Sequence, residues 1–304
     1  MTSSLDCLIV GGGPAGLTAA IYAARYRLSV RVIDAGRSRA ALIPCTRNHA
    51  GFPDGVPGQT LLDLMRRQAI EFGAHVEHSE VAALSRSGEA FVVETTSGAL
   101  EARTVLLASG VTTRCPAMPA DLHSAALAAG RLRYCPVCDG FEVIDQDVAV
   151  IGTSEHGEKE ALFLRAYTRR VTLIAPDGEH ALTEAQQRGL ADAGVRCVGG
   201  PVSDFALDAA GLAFTCAEGR LSFEAVYPAL GSDVHSALAK ALGARLTDEG
   251  CVTVDAHQRT SVPGLYAAGD VVIGLDQISH AMGHAGVAAT TIRNDLAAKA
   301  PLLR

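Results

Sequence analysis

The chain's 304 residues suffice for one large or two medium domains, and 48% hydrophobic with 19% charged residues is ordinary for a globular protein. A formal net charge of −7 argues against a general nucleic-acid or anionic-membrane surface. Tryptophan is absent and other aromatics are sparse, which removes a base-stacking platform.

The first apolar run, residues 8–24, follows Asp6 rather than a basic segment and is interrupted by Gly11-Gly12-Gly13-Pro14. Neither a secretion signal nor a membrane span fits it. It reads as a strand (Leu5-Asp6-Cys7-Leu8-Ile9-Val10), a tight turn ending at Gly16, and a helix over residues 17–26. A second strand, Ser29-Val30-Arg31-Val32-Ile33-Asp34, ends in a carboxylate. GxGxxG between strand and helix, with an acidic residue closing the next strand, is a dinucleotide fingerprint. The glycines admit a pyrophosphate to the backbone, the helix N-terminus favours its charge, and Asp34 can accept ribose hydroxyls. With no targeting segment the protein is expected in the cytoplasm, where isolated cysteines stay reduced.

Residues 36–58 form a loop containing Asn48-His49-Ala50-Gly51-Phe52-Pro53. An amphipathic helix is predicted over residues 59–72, with Leu61, Leu62, Met65 and Ala69 on one face. Short alternating runs over residues 74–107 predict a β-meander, which returns as a buried strand running into Ala108-Ser109-Gly110. Residues 111–119 read as a connector. A second βαβ unit follows: Val148-Ala149-Val150-Ile151-Gly152, a helix near residues 157–167, and Val171-Thr172-Leu173-Ile174. After a second connector come Thr260-Ser261-Val262-Pro263-Gly264 and Leu265-Tyr266-Ala267-Ala268-Gly269-Asp270, then a last helix over residues 279–298.

Ahead of the second βαβ unit lies Cys135-Pro136-Val137-Cys138-Asp139-Gly140. Two thiols three positions apart, with a carboxylate behind them, suit thiol–disulfide exchange, which needs an attacking thiolate, a resolving partner and a proton carrier. A structural zinc site would need further ligands, and Cys7, Cys45, Cys115, Cys197, Cys216 and Cys251 are scattered singly. A static disulfide is disfavoured by the expected compartment. No metal is expected.

Taken in order, the motifs at residues 11–16, 48–53, 108–110, 135–140 and 260–270 make the chain similar to the thioredoxin reductase family of flavoprotein disulfide oxidoreductases. The resemblance implies an α/β protein of two Rossmann-like three-layer nucleotide-binding domains. A discontinuous FAD domain would comprise residues 1–115 and 248–304, and a smaller inserted NAD(P)-type domain, residues 116–247, would carry the cysteines. It further implies that Gly11, Gly13, Pro14, Ala15 and Gly16 hold the FAD pyrophosphate and Asp34 the adenosine ribose. Val81 would meet the adenine through its backbone. Gly269 and Asp270 would contact the ribityl–phosphate region, and Asn48, Gln277 and the adjoining Ile278 would lie near the isoalloxazine; Ser109 and Gly110 complete the cofactor set. Cys138 would be the thiol nearest the flavin, Cys135 the one exchanging with a partner, and Asp139 the proton carrier, unless Asp139 merely caps a helix.

The chain departs from the family at three places. The second nucleotide motif, approximately GxGxxA in the family, is Gly152-Thr153-Ser154-Glu155-His156-Gly157, keeping only the first glycine. Ala175-Pro176-Asp177-Gly178 stands where arginines would clamp a 2′-phosphate. Both changes argue against NADPH bound in the usual way. In the last helix, His280 and His284 share a face; His280 near the flavin either stabilises a reduced anion or shuttles a proton, or the two are interface or surface histidines.

These features predict a FAD-dependent thiol–disulfide oxidoreductase acting on a small-molecule dithiol or a thioredoxin-like protein, either oxidising dithiols or reducing disulfides with a non-standard donor. An ordinary NAD(P)H-dependent thioredoxin reductase and a non-catalytic FAD/disulfide sensor are the alternatives. A homodimer is expected from the resemblance alone, with no nucleic-acid or membrane partner.

Overall fold

The structure, a computed structural model, describes residues 4–303; residues 1–3 and 304, the outermost parts of the expected first domain, lie outside the described residues. From the N-terminus, β1 (Leu5–Val10), α1 (Pro14–Arg25), β2 (Val30–Asp34), α2 (Gly58–Glu71), β3 (His75–His78), β4 (Val81–Ser87), β5 (Ala90–Thr95) and β6 (Gly98–Leu107) follow one another. The middle of the chain supplies β7 (Val111–Thr113), α3 (Ala120–Ala128), α4 (Pro136–Asp139), β8 (Asp147–Gly152), α5 (Ser154–Leu164), β9 (Arg170–Ile174), α6 (Glu184–Asp192) and β10 (Arg196–Val198). Then come β11 (Ser203–Leu207), β12 (Leu212–Cys216), β13 (Gly219–Phe223), β14 (Ala225–Ala229), β15 (Ser232–Val234), α7 (Ala237–Ala241), β16 (Leu265–Ala267) and α8 (Ile278–Lys299).

The first sheet has the order β3-β2-β1-β6-β5-β4, and β16 also pairs with β6. It therefore draws on both ends of the chain. A parallel strand covered on both faces is apolar throughout, and its side chains serve two cores in alternation. Cys7 and Ile9 enter the core beneath α1 and α8, whereas Leu8 and Val10 enter the core on the opposite face. Helices α1 and α8 approach closely because small residues line both, among them Ala19, Ala20, Ala285, Ala288 and Ala289. The second sheet, β10-β9-β8-β14, repeats the arrangement from the middle of the chain. Ala149 and Ile151 point into one core, Val148 and Val150 into the other. Each aliphatic side chain buried this way contributes about 1.5–3 kcal/mol.

Three expectations need correction. The meander begins only at β4; β3 runs parallel to β2, with Arg31 opposite His75 and Asp34 opposite His78. Gly73, at φ 97°, ends α2 and turns the chain back to the sheet edge, making a crossover rather than a hairpin. The helix after β8 starts at Ser154 rather than near residue 157, because Thr153 is already its N-cap. The connector at residues 111–119 contains β7, which pairs antiparallel with β15, so both passages of chain between the two sheets run side by side. Arg114 bonds Asp233 across this ribbon at 2.6 Å. The His235 ring bridges the Ser109 carbonyl at 2.9 Å and the Thr112 hydroxyl at 2.8 Å.

Candidate active site

The glycine loop after β1 is shaped by backbone contacts no side chain could tolerate. A Cβ on Gly11, whose φ is 104°, would lie 2.3 Å from the Ala108 carbonyl oxygen, and one on Gly16 would lie 1.9 Å from that of Gly11. Pro14 opens α1, whose N-terminus has no side-chain cap and no acidic residue in its first turn. Its free amides and dipole are thus open to an anion, and the cradle fits the pyrophosphate of FAD. Asp34 lies buried beside the loop, taking hydrogen bonds from the amides of Gly12 (3.3 Å) and Gly36 (3.0 Å). It also forms an ion pair with Arg66 of α2. Gly269, at φ 78°, brings the far end of the chain against Ala15, and Asp270 next to it pairs with Arg39 at 2.9 Å. Burial pushes Asp270 up to about 6 against the pull of Arg39, which also reaches Asp276 at 3.3 Å.

Cys135 and Cys138 are joined in a disulfide. Pro136 starts the short α4, and the Cys138 amide donates to the Cys135 sulfur at 3.2 Å, so Cys135 is the cap of that turn. The Gln277 amide, at the N-cap of α8, donates to the sulfurs of Cys135 (3.3 Å) and Cys138 (3.2 Å). Its oxygen accepts from Asn48 Nδ2 at 2.9 Å. The structure thus brings together Asn48, Gln277 and the cysteine pair, residues from three distant stretches. Ile278 packs its side chain against the α2 core.

Asp139 does not act as a side-chain cap. Its carboxylate accepts from Arg133 Nη1 at 2.9 Å and from the Tyr227 hydroxyl at 2.8 Å. Burial raises its affinity for a proton and outweighs Arg133 and Tyr227, which work the other way. His280 stands in the first turn of α8 with its ring against its own loop: Nδ1 lies 2.7 Å from the Leu275 carbonyl, and the His284 ring is 4.0 Å away. Burial and the neighbouring His280 lower the proton affinity of His284. Ser109 gives its hydroxyl to the His235 carbonyl at 2.7 Å and so belongs to the connector, with Gly110 following it at φ 64°. Val81 is the half-buried first residue of β4.

The second nucleotide motif is built differently. Ser154, where glycine is the rule, sits in the left-handed region at φ 56°. Glu155 stands in the first turn of α5, with Glu160 close behind and pushed up to about 7 by burial. The loop after β9 is strapped onto this turn, since the Ala181 amide donates to Thr153 Oγ1 at 2.7 Å. Gly157 corrects the motif comparison: a Cβ there would lie 2.8 Å from the Gly152 carbonyl carbon, so it supplies the close strand–helix contact of the motif's last position.

Arg133, Tyr227, Arg66 and Arg39 were not anticipated. The arginine two residues before Cys135, and the lone hydroxyl within the apolar strand β14, were the signals available.

Two dinucleotide folds with a redox-capable disulfide held against the first define a flavin-dependent oxidoreductase that acts on sulfur. Residues 5–285 match the family model described as pyridine nucleotide-disulphide oxidoreductase, and the chain belongs to that family, in its thioredoxin reductase-like branch. It is 34% identical over 281 residues to a thioredoxin reductase of Mycolicibacterium smegmatis, covering 88% of each chain. Among solved structures it resembles HlmI at 28% identity, with a TM-score of 0.89 over 98% of this chain and 94% of that one. The thioredoxin reductase of Streptococcus pyogenes MGAS5005 gives 28% identity and a TM-score of 0.88 over 98% and 100%. No helix among the described residues is long and apolar enough to cross a membrane.

Proposed function

We propose that the protein is a FAD-dependent thiol–disulfide oxidoreductase in which Cys135 and Cys138 exchange electrons between the flavin and an external dithiol or disulfide, without NADPH bound in the family's usual way. The contrast between the two motif helices carries this reading. Neither helix has a side-chain cap, but the N-terminus of α1 carries no acidic residue in its first turn, which suits a pyrophosphate. That of α5 opens on a left-handed serine and a glutamate, and the following loop is bonded across it. A carboxylate there repels a phosphate even though Lys159 pairs with it at 2.5 Å, and the loop after β9, residues 175–183, carries no arginine to clamp a 2′-phosphate.

In this reading the FAD segments are residues 1–115 and 248–304. Gly11, Gly13, Pro14, Ala15 and Gly16 hold the pyrophosphate, Asp34 and Val81 serve the adenosine end, and Gly269 and Asp270 the ribityl region. Asn48, Gln277 and Ile278 lie at the flavin ring, with Ser109 and Gly110 near the hinge. FAD supplies the two-electron carrier. Cys135 exchanges with the partner, Cys138 faces the cofactor, Asp139 takes up and returns the proton, and His280 assists near the flavin. The inserted domain turns on its connectors so that the pair meets cofactor and partner alternately. The exposed α1/α8 face, with Tyr22, Tyr26 and Val287, suits a symmetric homodimer.

The thioredoxin reductase relatives favour one second reading, an ordinary NAD(P)H-dependent thioredoxin reductase. Anaerobic mixing of the FAD-loaded protein with NADH, NADPH and dithiothreitol in turn separates the two. Flavin bleaching by the dithiol alone, with peroxide on admitting air, supports the proposal. Fast bleaching by NADPH replaces it with the second reading.

A further inference from the structure

Asp139 lies next to the redox pair, yet its carboxylate is not left free. Arg133 donates to one oxygen at 2.9 Å and Tyr227 to the other at 2.8 Å. Both donors are themselves fixed. Arg133 Nε bonds the Gly130 carbonyl at 2.9 Å, tying the guanidinium to the turn after α3. Tyr227 is fully buried in β14, packed among Val148, Val150 and Leu164. The hydroxyl also lies 3.3 Å from the Asp139 backbone carbonyl. Side chain and main chain of Asp139 are therefore both referred to the sheet of the inserted domain, so the carboxylate keeps its place relative to Cys138 whichever way that domain faces.

We propose that Arg133 and Tyr227 are positioning residues for the exchange reaction, together fixing the orientation and the charge of the Asp139 carboxylate. The inference deepens the proposed function and rests on Asp139 being the proton carrier there. When an external dithiol reduces the pair, its two S–H bonds break, its sulfurs join, the Cys135–Cys138 bond opens, and two electrons and two protons pass to the enzyme sulfurs. A carboxylate held as an anion takes the proton of the attacking thiol and returns it to the leaving cysteine sulfur. Burial pushes Asp139 toward the protonated form, which cannot accept. Arg133 and the Tyr227 hydroxyl are the favourable groups facing it, and Glu142 of the next turn is the unfavourable one. An adjacent guanidinium lowers an aspartate by about 1–3 pH units.

The test is the pH dependence of exchange in FAD-loaded protein mixed anaerobically with dithiothreitol. Flavin bleaching and, on quenched and alkylated samples, the mass-counted free thiols at Cys135 and Cys138 are followed together, so that one readout is independent of the flavin. Arg133→Gln should move the acid limb of the rate profile upward by about one pH unit or more. Tyr227→Phe should move it in the same direction by less, and Arg133→Lys should restore most of the wild-type position. A uniform rate loss with the limb unmoved in both Arg133→Gln and Tyr227→Phe would make these groups merely structural and overturn the inference. Should Arg133→Gln fail to fold, Tyr227→Phe decides. Asp139→Asn separates the two layers. If it exchanges with an unchanged profile, the proton-carrier role itself fails. If it is impaired while the other two variants keep the wild-type limb, only the positioning inference fails.

Discussion

Gln277→Ala tests whether the observed docking of the disulfide drives electron transfer. The Gln277 amide is the side-chain link between α8 and both sulfurs, and Asn48 fixes its orientation. Nearby, Arg47 and Glu142 approach only to 4.0 Å, a separation at which a half-exposed ion pair adds little. A hydrogen bond of ordinary strength is worth about 0.5–1.5 kcal/mol net, and sulfur acceptors fall at the low end. Two such bonds give about 1–2 kcal/mol, a five- to thirty-fold bias toward the docked arrangement. Stopped-flow bleaching of the flavin after reduction of the pair by dithiothreitol should slow by that factor in the variant. Because Gln277 is also placed at the flavin ring, the rates are compared per bound flavin, with FAD content measured separately for each variant. Asn48→Ala should act in the same direction but more weakly. Transfer at the wild-type rate in Gln277→Ala would show that docking does not depend on this side chain and would refute the reasoning.

Cys138→Ser should retain FAD while losing dithiol-driven flavin reduction; bleaching that persists in anaerobic titration would remove Cys138 from its role. Asp270 is raised to about 6, so the folded protein holds a proton there that the unfolded chain releases near pH 4. Its contribution to stability is therefore full below pH 4 and is lost as pH rises through about 6, a change on the order of 2–3 kcal/mol. Asp270→Asn should raise the urea midpoint of the FAD-free protein at pH 8, leave it unchanged at pH 4, and weaken FAD retention; equal effects at both values would contradict the assignment. Ser154→Gly relieves a left-handed serine whose conformation costs about 1–2 kcal/mol, partly offset by the entropy of glycine. It should stabilise the inserted domain slightly in denaturant titration. NADPH should still fail to bleach the flavin, because Glu155 and the Thr153–Ala181 bond remain.

The first dinucleotide motif was legible because glycine spacing reports directly on backbone shape: Gly11 and Gly16 stand where no Cβ fits. The buried face of α2 was legible for a similar reason, since Leu61, Leu62, Met65 and Ala69 recur at helical period. Strand β3 was misassigned because alternation gives the period of a strand but not the direction of its neighbour. The bonds around the chemistry were the least legible. Asp139 meets Tyr227 across 88 residues and Cys138 meets Gln277 across 139, and only the fold decides which donors reach them. The second nucleotide motif was readable as altered, but the strap from Ala181 to Thr153 was not, because it depends on how the loop after β9 folds back.

The ribbon of β7 and β15 constrains how the protein can move. Because the two crossings between the lobes are zipped together and pinned by His235, the inserted lobe behaves as a door on one pin rather than a weight on two strings. Twisting strains a few torsions in that ribbon, whereas sliding would have to tear its ladder. A swing of the kind proposed above would therefore return the sulfurs to the same spot beside Gln277, with the tether securing the accuracy of return.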